Sequence, residues 1–173
     1  AGVVRIGRVA HQLLNDEPES ATITFYNSFA RTYEGHGSDR AVLAGLLGMD
    51  TDDERIRSAP DLAKEKNFTY KFKAVSNASA LHPNSIRIVA TSGDQTVEVL
   101  GVSRGGGLVS ILEVDDFNCH FTTDNHTLII TASDKPGSIA FVASILAHEG
   151  CNIATMTVDR RGKNDLAQLV LEV

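Results

Sequence analysis

Ile86-Arg-Ile-Val-Ala90, Thr96-Val-Glu-Val-Leu-Gly-Val102 and Leu108-Val-Ser-Ile-Leu-Glu-Val114 decide the fold. Each is a short run rich in β-branched and apolar residues bounded by turn residues, which reads as a strand. Ser92-Gly93-Asp94 separates the first two runs, and Arg104-Gly105-Gly106-Gly107 the next two. Connections this short permit only antiparallel pairing. With Phe117–Phe121 behind them, the runs form an antiparallel meander. The triple glycine exceeds what a two-residue hairpin turn needs. It fits a ligand-facing backbone nest or a wide, bulged hairpin.

Upstream, Phe68–Ala74 alternates strictly and predicts a strand. Ser76–Pro83 is a polar connection of small residues that runs into His82-Pro83-Asn84. Thr51–Asn67, acidic at its front and basic at its back, predicts a solvated helical segment interrupted at Pro60. Ala21–Tyr26 alternates around Ile23 and Phe25, as a strand does. Asn27–Glu34, with Phe29, Ala30 and Tyr33 at helical spacing, predicts a short helix. Residues 3–14 place Val3, Ile6, Val9, Ala10, Leu13 and Leu14 on one helical face.

Gly35-His36-Gly37-Ser38-Asp39 stands at the mouth of an apolar run, Arg40 to Gly48. That run is apolar nearly all round and predicts a buried helix with Gly48 as its stop. Asp39, with Ser38 before it, reads as the N-cap. The two glycines would let backbone approach a ligand closely, and the helix N-terminus suits a carboxylate or phosphate. A plain turn carrying an exposed histidine explains the pentapeptide equally simply.

Downstream, Thr122–His126 is a polar hinge, which divides the chain into 1–121, a linker 122–126, and 127–173. Leu128–Ile130 is a strand, Ser133–Gly137 a turn, Ser138–Glu149 an amphipathic helix closed by Gly150, Ile153–Val158 a strand, Arg160–Asp165 a turn, and Ala167–Val173 a strand. This β-α-β-β order is the first part of a ferredoxin-like unit. The fold class is therefore α+β: a mixed α/β unit with an antiparallel sheet, then a partial ferredoxin-like unit. The chain opens directly into a helical pattern at Ala1 and stops within a strand pattern, so it reads as part of a longer chain.

The 173 residues suffice for one or two domains with a real core. The net charge of −6 argues against nucleic acid as a partner. No run approaches the roughly 20 apolar residues that span a bilayer, and no secretory signal is visible, so the sequence reads as cytoplasmic. Cys119 and Cys151 form neither a CxxC nor any metal-ligand spacing, so no metal site is expected in this chain.

Two resemblances now carry the functional reading. Asp134-Lys135-Pro136-Gly137, followed by His148-Glu-Gly-Cys-Asn152, resembles an ACT domain, a βαββαβ module that senses small molecules, often amino acids. Residues 127–173 match its first part, truncated at the C-terminus. The resemblance implies effector contacts at Asp134, Pro136, Gly137 and Asn152, and pairing with a second copy of the chain.

Residues 1–121 resemble the beta domain of the bacterial iron–sulfur-dependent L-serine dehydratases (L-serine ammonia-lyases). The carrying residues are Gly2–Gly7, Phe25-Tyr-Asn-Ser-Phe-Ala-Arg-Thr-Tyr33, Gly35–Leu43, His82-Pro-Asn84 and Gly105–Gly107. The family often has Thr where Ser38 stands, and Ser38 keeps the hydroxyl. A Ser-Ser-Ser-His-Thr motif usually precedes the position of Ala1. The resemblance implies a beta chain paired with an alpha chain whose cysteines hold a [4Fe–4S] cluster, the pair deaminating L-serine to pyruvate and ammonia in amino-acid metabolism and gluconeogenesis.

Dehydrating serine requires removing the Cα proton, releasing the β-hydroxyl and holding the α-carboxylate. A metal centre in the partner suits the hydroxyl, as a Lewis acid. A histidine suits the proton, since its unperturbed pKa is about 6.5. Of six histidines, His36 and His82 stand in the loops that match the family's motifs. They are the expected acid–base pair. Asn84, Gly35, Gly37, Ser38 and Asp39 are the expected substrate contacts. His11, His120, His126 and His148 read as structural or solvated. Two rival readings are a non-catalytic amino-acid or anion sensor, like the allosteric regions of some phosphoglycerate dehydrogenases, and a metal hydrolase built from His36, Asp39 and His82. The second is weak, because no close pair of histidines shares a helix.

Overall fold

The computed structural model describes residues 1–161 and 165–173. Its elements are α1 (Gly2–Leu14), β1 (Ser20–Tyr26), α2 (Ser28–Thr32), α3 (Ser38–Leu46), a 3₁₀ turn (Glu54–Ser58), α4 (Ala59–Glu65), β2 (Thr69–Val75), β3 (Ser85–Ser92), β4 (Gln95–Gly105), β5 (Leu108–Val114), β6 (Phe117–Phe121), β7 (Thr127–Ser133), α5 (Ser138–His148), β8 (Thr155–Arg160) and β9 (Leu166–Glu172). Two sheets form, a six-stranded one in the order β2-β1-β3-β4-β5-β6 and a three-stranded one in the order β7-β9-β8. The fold is α+β, and the predicted meander β3–β6 is antiparallel throughout.

Strand β2 departs from the antiparallel pattern, since it runs parallel to β1 with Ile23 opposite Phe72. The long helical connection through α2, α3 and α4 supplies the crossover that a parallel pair needs. As the outer strand, β2 buries little: Phe72 alone is half-buried, while Phe68 just before it is buried. The strand expected here forms, and the burial in this stretch lies mostly in Phe68.

Alternate residues of β1, β3 and β4 (Ile23, Phe25, Ile86, Ile88, Val97 and Val99) are buried with the apolar faces of α1 and α3 in one core. Glycine lets α1 and α3 cross closely. A Cβ on Gly7 would lie 2.6 Å from the Val42 carbonyl, and one on Gly45 would meet the Val4 carbonyl. The run 42–47 is buried, as its composition predicts. Gly48 ends α3 at φ +85°, with Gly48 N–H donating to the Gly45 carbonyl and Met49 N–H to the Ala44 carbonyl. That is the paired-bond helix stop that glycine favours. Pro60 divides the charged segment as expected, falling in the first turn of α4 after the 3₁₀ turn. The segment is mostly exposed, although Ala59 and Ala63 are fully buried.

The glycine hairpin is the bulged form. Gly105 pairs with Leu108, Gly106 and Gly107 form a two-residue turn with φ +60° and +82°, and the register shifts between Ser103 and Gly105. Two positive φ values at the turn centre match the twist of the flanking strands.

Residues 127–173 form the expected β-α-β-β arrangement, with α5 covering Leu169 and Leu171 of β9. The turn expected over Arg160–Asp165 includes residues 162–164, which lie outside the described residues. The other face of β9 turns toward the first sheet. Val170 joins the main core, and the Gln168 amide donates to the Val114 carbonyl at 3.3 Å. Asn118 N–H donates to the Asp159 carboxylate at 2.7 Å, and the Arg161 guanidinium lies 4.6 Å from the centre of the Phe117 ring. The buried Glu172 carboxylate accepts from Thr122, Asn125 and Thr155. Among the described residues, no helix is long and apolar enough to cross a membrane.

Candidate functional site

The register of the first sheet gathers three connections at one end. Tyr26 at the end of β1 lies beside Val75 at the end of β2, Phe25 beside Ile86 at the start of β3, and Ser85 beside Val102 on β4. The start of α2, the 76–84 loop and the glycine hairpin therefore share this end. The start of α1 is there too, since a Cβ on Gly2 would sit 2.7 Å from Ser103 Oγ, and the Ala1 side chain would lie 3.7 Å from one on Gly107.

Helix α2 is too short to be stable alone. It is held by its aromatic face. Tyr33 stacks on the fully buried Phe25 with centroids 4.4 Å apart and planes within 6°, and Phe29 meets Phe25 edge-on. Burial, reinforced by the Glu34 and Asp39 carboxylates, raises the Tyr33 phenol above its ordinary pKa. The chain then turns sharply: His36 N–H donates to the Thr32 carbonyl, Gly37 N–H to that of Glu34, and Ser38 N–H to that of Tyr33. Gly37, at φ +71° and ψ 20°, is the N-cap residue of α3.

This corrects the expected cap. Asp39 lies inside the first turn of α3, where its carboxylate accepts from the adjacent Arg40 amide at 2.8 Å rather than capping the helix. Its charge still complements the positive helix end. The left-handed turn into α3 requires glycine at 37 and so pushes the start of the helix back to Ser38. His36 is exposed and Ser38 is buried. The two glycines differ: Gly37 is demanded by its backbone, whereas a Cβ on Gly35 would meet nothing closer than 3.9 Å.

On the other side, Asn84 N–H donates to His82 Nδ1 at 3.1 Å. The buried Ser85 hydroxyl donates to the His82 carbonyl at 2.8 Å, and Ser103 N–H donates to the Asn84 carbonyl. Phe29 N–H, in the first turn of α2, donates to the Pro83 carbonyl at 3.3 Å. The His82–Asn84 loop therefore abuts the start of α2, and the Gly35–Gly37 turn leaves its end. At 1.5 Å per residue, the five-residue helix between them is about 8 Å long. His36 and His82 thus lie beyond opposite ends of α2, with no hydrogen bond between them.

Two residues at this end escaped the sequence reading. Asn27 bonds the 76–81 loop through its side chain, and Arg31 lines a depression of about 370 Å³ with Ser28, Asn77, Ser79 and Pro83. The signal for Asn27 was its position between a strand and a helix, where asparagine tolerates left-handed backbone. A separate cavity of about 680 Å³ lies toward the other end of α1, lined by Gln12, Leu13, Thr123, His126 and Ile129, and holds none of the expected site residues.

The expected effector residues do not meet within one chain. Asp134, Pro136 and Gly137 precede α5, with the Asp134 carboxylate 3.1 Å from the Arg160 guanidinium. Asn152 follows α5 at the opposite end of its sheet.

The thiols do not fit an iron–sulfur cluster, which needs a set of cysteine thiolates around one centre. Cys119 is buried on β6, and burial, followed by the Glu113 and Asp159 charges, pushes its thiol up to about 12. Cys151 is exposed beside the second sheet. Among the described residues, no group of three or more His, Cys, Asp or Glu side chains could hold a metal ion.

The chain is thus a helix-backed, mostly antiparallel sheet with two loops flanking α2, joined to a β-α-β-β unit. Residues 3–113 match the family described as serine dehydratase beta chain, and the chain belongs to that family. It is 40% identical over its whole length to 78% of a protein of Bacillus subtilis named probable L-serine dehydratase, beta chain. It is 30% identical over the same share to the L-serine dehydratase beta chain of Peptoniphilus asaccharolyticus. A weaker likeness, 27% over 96% of the chain, covers 32% of a D-3-phosphoglycerate dehydrogenase of B. subtilis.

Proposed function

We propose that this chain is the beta subunit of an L-serine dehydratase and that the loops flanking α2 form its share of a site completed by an alpha chain. The observation that supports the reading is that Gly35–Asp39 and His82–Asn84 flank the two ends of the single short helix α2. The start of α1 lies beside the glycine hairpin and that of α3 within Gly35–Asp39, and their positive ends suit the α-carboxylate of an amino acid. Arg31 adds a cation.

The two histidines take different parts. A backbone amide can donate only to a ring nitrogen that carries no proton, so the bond from Asn84 to Nδ1 leaves Nε2 as the protonated nitrogen of His82. That Nε2–H is a hydrogen-bond donor for a substrate oxygen. His36 makes no side-chain bond among the described residues and takes the Cα proton. Gly35 lets the substrate approach the turn, while Ser38 and Asp39 hold the start of α3 in place. The [4Fe–4S] cluster belongs, on this reading, to the cysteines of the alpha chain. Products are pyruvate and ammonia.

The β-α-β-β unit is a partial ACT domain spanning 127–173, after a linker at 122–126. Exposed Ile139, Phe141, Ile145, Met156 and Val158 favour its pairing with a second copy. Because Asp134–Gly137 and Asn152 lie at opposite ends of α5, an amino-acid effector touching both sets needs two chains.

The likeness to D-3-phosphoglycerate dehydrogenases supports a second reading, a non-catalytic sensor. One experiment separates them. The chain is combined anaerobically with its cluster-bearing partner and assayed for pyruvate from L-serine. Pyruvate formation that collapses in His36→Ala supports the catalytic reading. Full activity in both His36→Ala and His82→Ala removes this site from the mechanism and leaves the sensor.

A further inference from the structure

Asn27 adopts φ 54° and ψ −118°, a conformation that side-chain-bearing residues avoid and glycine tolerates. Its side chain explains why it stands there. Nδ2 donates to the carbonyls of Ala78 at 2.9 Å and Leu81 at 3.0 Å, and Oδ1 accepts from Ala78 N–H at 2.9 Å. Its backbone N–H donates to the Val75 carbonyl at 2.8 Å. Two donors and one acceptor on one planar group are what the carboxamide offers, whereas aspartate lacks the donors and leucine lacks both.

The clamped segment is polar, built of small residues, and outside regular structure. Apart from the Asn27 bonds, its own closing bond is Leu81 N–H to the Ala78 carbonyl. It leads directly into His82-Pro83-Asn84, where Phe29 N–H, on the same helix start, holds the Pro83 carbonyl. We propose that Asn27 is a positioning residue: it fixes the 76–81 loop against α2 and thereby places the His82 Nε2–H and the Asn84 side chain relative to the Gly35–Asp39 turn. The inference rests on the reading of His82 and Asn84 as substrate contacts.

Asn27→Gly tests it, because glycine accepts the same backbone and removes only the clamp. In the two-chain enzyme, kcat/KM for L-serine falls by up to about a hundredfold, the scale of a small misplacement of reacting groups. The thermal midpoint stays at the wild-type value. Amide exchange accelerates at Ala78 but not at Ile23 or Ile88, and the ¹⁵N signal of His82 loses the signature of an Nδ1 acceptor. Asn27→Asp, which keeps the acceptor and loses both donors, falls in the same direction. Wild-type kcat/KM in Asn27→Gly, with His82→Ala impaired, overturns the Asn27 inference alone. A loss accompanied by a lowered midpoint and faster exchange in β1 and β3 makes Asn27 merely structural and also overturns it. Wild-type kcat/KM in His82→Ala overturns both this inference and the reading on which it rests.

Discussion

The backbone amide of Asn84 points at Nδ1 of His82, 3.1 Å away, so the two motif residues also set each other's geometry. The bond assigns His82 as an Nε2–H donor. In ¹⁵N spectra of the protein near pH 8, His82 shows one unprotonated and one protonated nitrogen, Nε2 carrying the proton. On the proposed catalytic reading, His82→Ala removes a donor to substrate, a loss on the order of 10²–10³ in kcat. On the same reading His36→Ala removes a proton acceptor, a loss on the order of 10²–10⁴. A His82 signal of the opposite tautomer would reverse the assignment of roles.

The two glycines around His36 separate by experiment. Gly37→Ala forces a Cβ onto a left-handed residue at φ +71° and destabilises the chain by about 1–2 kcal/mol. Gly35→Ala meets open space and stays within about 0.5 kcal/mol of wild type in denaturant unfolding. On the proposed reading it nevertheless weakens L-serine turnover, because the added methyl would stand in the path proposed for substrate. Gly35→Ala with wild-type kinetics would return Gly35 to the status of a plain turn residue.

Much of this was legible in the sequence because each signal was local. The strand runs 86–114, the apolar α3 and the Gly48 stop need only period, composition and a breaker to be read. Asp39 was misread because Asp before an apolar run resembles a cap, whereas the helix start is set by the i-to-i+5 bond from Ser38 to Tyr33, which composition does not reveal. The parallel pairing of β2 was hidden for a similar reason: alternation reports a face but not the direction of a neighbour. Asn27 was quoted within a motif yet given no role, because its partners Ala78 and Leu81 lie some fifty residues away.

The α1–α3 crossing predicts a cost larger than helix propensity can offset. Alanine for glycine inside a helix gains at most about 1 kcal/mol. At Gly45 the new Cβ meets the Val4 carbonyl, and at Gly7 it lies 2.6 Å from the Val42 carbonyl; both obstacles are backbone. Forcing the helices apart costs about 1–3 kcal/mol or more. Gly45→Ala and Gly7→Ala therefore both lower the denaturant midpoint. An unchanged or raised midpoint in either would show that the crossing relaxes freely.

Glu172 ties the second sheet to the linker that follows β6 and makes that junction acid-sensitive. Burial alone would raise its pKa, but bonds from Asn125, Thr155 and Thr122 outweigh burial and hold the carboxyl below its ordinary value. A group whose folded pKa is depressed contributes stability that is fully present above its unfolded value, about 4.3, and is lost as pH falls through the folded value. Thermal midpoints measured from pH 7 to pH 3 should thus hold their Glu172 contribution down to about pH 5 and lose it below. Glu172→Gln removes the charge but keeps a carbonyl acceptor for two of its three donors, since amide and hydroxyl donors need no charge to bond. The variant is less stable than wild type at pH 7, and the gap narrows as pH approaches 3. A gap that stays constant across this range would mean that Glu172 is held by shape and neutral hydrogen bonding, with its ionisation unlinked to folding.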